Sequence, residues 1–267
     1  MEIGASSSCF YPMETEKAFL HVAGHGFKNI EIFLNSPSET KKEFVRELRS
    51  IKEAYGVNVT SIHPYESFGE GYNFFSNYYR RYVDACENYK RFFSVAAELG
   101  AEFVIMHGAK FGADICDEEY AERFTRLNEI AMDFGCFVAH ENVVNFSGEK
   151  PEFMSLLKKY GKDNFKMVLD VKQARKAGVE PIEYIKAAGD SIAHVHLSDK
   201  TKDSDCAPPS EKGMFNFREL FTQLRDVNYA GKYIIELYSD GFENIEDIIK
   251  SAHYLERELK KVQTEMK

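Results

Sequence analysis

Glu141, Asp170, His196 and Glu236 each stand at the far end of a short apolar run, in CFVAHEN, FKMVLD, IAHVHLSD and KYIIELY, at intervals of 29, 26 and 40 residues. Side chains delivered by four successive strand ends meet only if the strands are neighbours in a closed parallel sheet, whose carboxyl ends share one mouth. Three carboxylates and one imidazole read as a metal site. Such a donor set suits a hard or borderline divalent ion, Mn²⁺ first, with Mg²⁺, Co²⁺ or Zn²⁺ as alternatives, whereas a structural zinc site would draw on cysteine thiolates. Any one of these acids could equally mark a strand running out into solvent. Four in one register are a poor fit to that reading.

The rest of the chain supports a closed sheet. A strand-like run followed by an amphipathic stretch recurs about eight times, at 2–6, 28–34, 57–62, 102–107, 136–141, 165–170, 191–197 and 232–237. That alternation is expected of parallel βα units. The expected fold class is α/β, a (β/α)8 TIM barrel forming a single domain over residues 1–267. An open doubly wound sheet shows the same alternation, but it would normally carry a glycine-rich first turn. ASSSCF follows the first strand here, and neither GxGxxG nor GxxxxGK[ST] occurs. Among the helices, Ser36, Pro37 and Glu39 form the words of a capping box, placing the start of the second helix there. Gly100 supplies a left-handed stop to a helix from Tyr79. Ile245, Ile248, Ile249, Ala252, Leu255, Leu259 and Val262 make the stripe of a last helix, with KKVQTEMK as its end.

Composition narrows the partners. Five cysteines without a CxxC pair suggest neither a disulfide framework nor a thiolate metal site, and a reducing cytosol fits them. MEIGASSSCF lacks the features of a signal peptide and no run of about 18 apolar residues occurs, so a soluble cytoplasmic protein is expected, without membrane association. A net charge of −9 argues against nucleic acid and for small substrates.

The words AHEN around Glu141, VLD at Asp170, HVHLSD around His196 and IIELY around Glu236, with SIHPY at His63 and VIMHG at His107, make the whole chain resemble the xylose-isomerase-like TIM barrels. That superfamily of sugar phosphate isomerases and epimerases also includes endonuclease IV and inosose dehydratase. The resemblance implies that Glu141, Asp170, His196 and Glu236 bind one divalent ion. It also implies that Glu141 and Glu236 are the catalytic pair, one abstracting a proton next to a carbonyl and the other returning one from the opposite face through a metal-stabilised enediolate. Return to the neighbouring carbon would give an aldose–ketose isomerase. His63 and His107 close the third and fourth strands; they contact substrate, share a second metal as in endonuclease IV, or serve structure. His194, one layer deeper than His196, is expected to support it.

Departures from the family pattern are informative. Many relatives place a histidine three residues after the aspartate of strand six, but DVKQAR has Gln173 there. Gln173 cannot replace an imidazole on zinc, though it can hydrogen-bond a sugar hydroxyl. The Asp-x-His pair of endonuclease IV is also missing, so its three-zinc phosphodiesterase chemistry is not expected. In the loop after strand seven, Lys200 and Lys202 either bind substrate or are solvated, and Asn216 can cap the next helix. The aromatic stretch from His63 to Tyr82, with Tyr65, Phe68, Tyr72, Phe74, Phe75, Tyr78 and Tyr79, is a lid over the mouth, a homo-oligomer contact or rim packing. A metal-dependent sugar isomerase or epimerase acting on a ketose or polyol ketone is the leading expectation. An inosose-type dehydratase, a phosphodiesterase and a non-catalytic sugar-binding barrel are the alternatives.

Overall fold

The computed structural model describes residues 2–264. Among them eight parallel strands close in chain order into a barrel. They are β1 Gly4–Ser6, β2 Asn29–Leu34, β3 Asn58–Pro64, β4 Phe103–Met106, β5 Phe137–Glu141, β6 Lys166–Asp170, β7 Ile192–Leu197 and β8 Lys232–Ile235. Each overlaps the run expected of it. At β8 the pairing ends at Ile235 and leaves Glu236 just past the ladder.

Helices wrap the outside after every strand. Tyr79–Leu99 stops at Gly100, whose φ of 68° is the left-handed turn the sequence indicates. Asn216 caps Phe217–Asp226 by accepting from the Glu219 amide at 3.1 Å. The stripe from Ile245 lies on Ile245–Thr264, and the last three residues of KKVQTEMK fall outside the described part. The capping box at Ser36 does not form. Pro37–Thr40 is a separate 3-10 turn, Lys41 is extended, and the second helix begins at Lys42. The Glu39 carboxylate instead accepts from the Asn35 amide at 2.6 Å and from Thr15 Oγ1 at 2.9 Å, tying this turn to the first helix. Among the described residues no helix is long and apolar enough to cross a membrane.

The core has two parts, and strand pleating decides which side chains enter each. Successive residues of a strand point to opposite sides. Outward-facing Val104, Met106, Val138, Met167, Leu169 and Val195 pack in the large cluster between strands and helices, while Phe103, Ile105, Ala139 and Val168 fill a small cluster inside the barrel. Two residues beyond those inward positions stand His107, Glu141 and Asp170, and His196 is likewise two beyond inward-facing His194. The layer above the barrel filling is therefore polar by the same alternation that makes the filling apolar. Register sets their relative heights: Glu141 lies level with Val168, Asp170 with His196, and His196 with Ile234.

Barrel closure between β1 and its neighbours is tight. A methyl group on Gly4 would stand 2.3 Å from the Asn29 carbonyl oxygen and 2.4 Å from Ile234 Cδ1. Gly4→Ala should lower the unfolding free energy by about 1–3 kcal/mol. The urea midpoint should fall with the slope unchanged; an unmoved midpoint would show that the closure gives way freely.

Candidate metal centre at the barrel mouth

The ends of β5, β6, β7 and β8 bring Glu141, Asp170, His196 and Glu236 together, with one ligand-capable atom of each within 4.8 Å of all the others. His196 Nδ1 is the hub, 3.5 Å from Glu141 Oε1, 3.4 Å from Glu236 Oε2 and 3.9 Å from Asp170 Oδ2. All four are almost entirely removed from solvent except Glu236, whose side chain keeps 14% exposure toward a cavity. That cavity measures about 650 Å³, and His63, His107, Glu141, Lys172, Gln173 and Glu236 reach into it from its floor.

Backbone features aim these groups. Asp170 ends β6 and is also the N-cap of the helix Val171–Lys176: its Oδ1 accepts from the amides of Lys172 at 2.6 Å and Gln173 at 2.9 Å, which leaves Oδ2 facing the cluster. Asn142 links β5 to β6, its Oδ1 accepting from the Asp170 amide at 2.7 Å and its Nδ2 donating to the Asp170 carbonyl at 3.0 Å. Behind His196 stands Glu31, fully buried in the middle of β2. Its Oε2 lies 3.0 Å from His196 Nε2 and 3.2 Å from His194 Nε2, and Ser61 donates to it at 2.7 Å. His194 is fully buried beside Glu31, one layer below His196.

The electrostatics follow from many charges in little space. Burial raises the Asp170 carboxyl to about 6, with Lys172 opposing the rise and Glu141 and Glu236 adding to it. Burial works the same way on Glu141, but His107, His196 and His63 overcome it and hold its pKa well below the usual carboxylate range. Glu236 is lowered against its own burial by His196 and then Lys172. Burial disfavours a charged His196, yet Glu31 and Glu236 raise its pKa well above the ordinary value.

The donor set fits a divalent ion. Glu141 Oε2, Asp170 Oδ2 and His196 Nδ1 are buried without a partner in hydrogen-bond geometry, although His107 Nε2 comes within 3.0 Å of the first. Three carboxylates and an imidazole nitrogen converging on one point are the residues that could hold Mn²⁺ or a similar ion. Glu31 would act as the carboxylate that orients a metal-binding histidine through its other nitrogen. His63 and His107 form an adjoining group with Glu141: their Nε2 atoms are 3.1 Å apart and lie 3.7 and 3.0 Å from Glu141 Oε2.

The remaining sequence candidates fall out differently. Gln173 lines the cavity, with its Oε1 3.4 Å from the Val144 amide. Lys200 is not among the lining residues; it lies in a loop knit by the Asp199 carboxylate, which accepts from the Lys200, Met214 and Phe215 amides. Lys202 is exposed. Of the aromatic stretch, Tyr65 and Ser67 line the cavity, and residues Ser67–Phe74 form a helix. Phe74, Phe75 and Tyr82 are buried on the rim, Phe75 stacking on Tyr120 at 3.5 Å, while Phe68, Tyr72, Tyr78 and Tyr79 face solvent. Buried Glu70 fastens this helix by accepting from the Gly108 amide at 2.6 Å and the Tyr89 hydroxyl at 2.9 Å.

Sequence reasoning missed Glu31, Asn142 and Lys172. A lone acid inside the apolar run NIEIFL was the available signal for Glu31. Asn142 stands in AHEN with no signal of its own, and in DVKQAR nothing distinguishes an inward Lys172 from a solvated one. Its Nζ is 3.3 Å from Glu236 Oε2 and 3.5 Å from Asp170 Oδ2, and the side chain is only 3% exposed.

Two stability predictions follow from the supports of Glu141 and Asp170. Asn142→Ala leaves the Asp170 amide and carbonyl without these partners and should cost about 1–3 kcal/mol, measured by urea unfolding of the metal-free protein; no loss would mean that water replaces the amide. His140, beside Glu141 but facing the helices, sits against the Tyr120 hydroxyl at 2.9 Å, and burial lowers its pKa to about 4. An unfolded histidine titrates near 6.5, so as pH falls below that value the unfolded chain gains a proton that the folded one refuses. Wild type should lose stability relative to His140→Asn by about 2 kcal/mol between pH 7.5 and 4.5. A stability difference that is flat across this range would contradict the depressed pKa.

Comparison with known proteins agrees with this architecture. The family model described as xylose isomerase-like TIM barrel matches residues 19–258. An uncharacterised protein of Methanocaldococcus jannaschii is 25% identical over 272 residues, covering 97% of this chain and 89% of that protein. Fructoselysine 3-epimerase of Escherichia coli O157:H7 is 23% identical over 253 residues, covering 89% and 90%. The crystal structure of a D-tagatose 3-epimerase-like protein has the same fold, with a TM-score of 0.79 at 23% identity over 100% of both chains.

Proposed function

Because the chain belongs to the xylose isomerase-like TIM barrel family, we propose that it is an epimerase or isomerase of a ketose or related polyol ketone, dependent on a divalent ion held by Glu141, Asp170, His196 and Glu236. One observation carries this reading. Glu141 and Glu236 come from strands three places apart around the barrel and approach the same atom, His196 Nδ1, at 3.5 and 3.4 Å. Acids converging from different sides on one small volume can address both faces of a planar carbon, which is what inversion requires. Neighbouring imidazoles, and Lys172 at Glu236, lower both pKa values and so favour the carboxylate form, the form that accepts a proton.

A divalent ion bound there, with Mn²⁺ as the first candidate, would polarise a ketone and its adjacent hydroxyl and lower the pKa of the intervening C–H. The chain's own groups do the rest. Glu141 or Glu236, as the carboxylate, abstracts the proton, and the other, having first taken a proton from solvent, delivers it from the far side. His63 and His107 hold substrate oxygens beside Glu141, and Gln173 binds a hydroxyl. Tyr11, Phe33, Tyr65 and Tyr238 line the upper cavity and offer faces for the C–H side of a sugar. The names of the fructoselysine and tagatose 3-epimerase relatives support a reaction at a carbon next to a carbonyl.

The test is a screen of ketoses for solvent deuterium uptake in D₂O with Mn²⁺-loaded protein. Deuterium should appear at an inverted carbon and a chelator should abolish it, whereas a product lacking one oxygen would indicate the inosose-type dehydratase. Glu141→Gln and Glu236→Gln should each reduce turnover by about 10²–10⁴-fold while metal analysis still finds the ion. Full turnover in both variants would end the two-acid mechanism.

A further inference from the structure

Among the described residues Lys172 is the only lysine or arginine lining the cavity, and no step of the proposed reaction uses it. Its placement is unusual for local structure. It occupies the first turn of the helix Val171–Lys176, where the helix dipole disfavours a positive charge. Its backbone amide is held by Asp170 Oδ1 at 2.6 Å, and its side chain folds back so that Nζ lies 3.5 Å from Asp170 Oδ2. The two oxygens nearest the ammonium, Asp170 Oδ2 and Glu236 Oε2, are the same two that face His196 Nδ1 at 3.9 and 3.4 Å. An ion gripped by the four-residue set would need those oxygens. In the same position Nζ stands 4.5 Å from the Tyr238 ring centroid, at the cavity wall, so the ammonium already borders substrate space.

Resting on the metal-site reading above, we propose that the Lys172 ammonium is an internal competitor of the divalent ion: it holds Asp170 Oδ2 and Glu236 Oε2 in the metal-free protein, and ion binding turns it toward the substrate. Charge supports the exchange. Glu141, Asp170 and Glu236 carry three negative charges, which one divalent ion and one ammonium together neutralise. The lysine therefore holds the carboxylates of the metal-free site together against their mutual repulsion, and it weakens divalent binding because two like charges must share the same carboxylates. Once displaced, the ammonium becomes the group available to hold a substrate oxygen beside Glu236.

Mn²⁺ titration of chelator-stripped wild type and Lys172→Met, by calorimetry, tests this. Lys172→Met should bind Mn²⁺ at least about tenfold more tightly. Its metal-free melting temperature should lie below that of wild type, and the gap should close at saturating Mn²⁺. Equal or weaker binding in the variant would overturn the inference while leaving the four-ligand site standing. Binding by the variant alone would support it in its strongest form, and binding by neither would remove the metal site and the inference with it. Should Lys172→Met fail to fold, a crystal structure of Mn²⁺-loaded wild type decides: Nζ should have left Asp170 Oδ2, and an ammonium still within 3.5 Å of both carboxylates with the ion present would refute the exchange.

Discussion

Burying several carboxylates in one barrel mouth is the most expensive feature of this structure, and much of its detail is compensation for it. An ionised carboxylate moved out of water without partners loses solvation worth many kcal/mol. Here Glu31, Glu141, Asp170 and Glu236 are all drawn into the same few ångströms. Each has a basic partner at short range: the imidazoles of His194 and His196 at Glu31, His63 and His107 at Glu141, and the Lys172 ammonium at Asp170 and Glu236. The pKa directions are the signature of that mutual support, with carboxyls lowered where imidazoles dominate and Asp170 raised, since burial there exceeds what Lys172 returns.

Compensation also needs geometry, and backbone groups supply it. Helix capping by Asp170 fixes one carboxylate oxygen and frees the other, and the Asn142 amide clamps the ends of β5 and β6 so that Glu141 and Asp170 stay in step. The aromatic segment after β3 has a comparable task. Glu70 binds the Gly108 amide directly after His107, so the helix Ser67–Phe74 is fastened to the same strand end that presents an imidazole to Glu141. Rim packing of Phe74, Phe75 and Tyr82 is what the structure shows for this segment, with Tyr65 alone of its aromatic residues turned to the cavity.

The polar ends of β3 to β8 were legible because each of these strands ends an apolar run with an acid or histidine, and pleating then forces positions two apart to share a face. Glu31 escaped the same logic. It sits in mid-strand, where sequence offers no way to tell an inward acid awaiting two histidines from an edge residue facing water, and its partners lie some 165 residues away in the chain. Lys172 was obscured for a different reason: a long flexible side chain in a first helical turn can go to solvent or curl back, and only the position of the Asp170 carboxylate decides between them. The failed capping box at Ser36 has a related cause, since Glu39 had a better use in joining the Asn35 amide to Thr15 than in closing a local turn.

Glu31 has one further consequence for the centre. Its Oε2 lies 3.0 Å from His196 Nε2 and, being a carboxylate oxygen that can only accept, places the proton of this hydrogen bond on that nitrogen. For His196 this leaves Nδ1 as the one nitrogen facing the three other carboxylates. Nδ1 can hold a proton or a metal ion but not both. A divalent ion bound at Nδ1 would take the place of any proton there. A carboxylate buried in mid-strand thereby selects which nitrogen of His196 is offered at the mouth, and with Lys172 already holding Asp170 and Glu236, ion binding at this centre would be an exchange rather than the filling of an idle cavity.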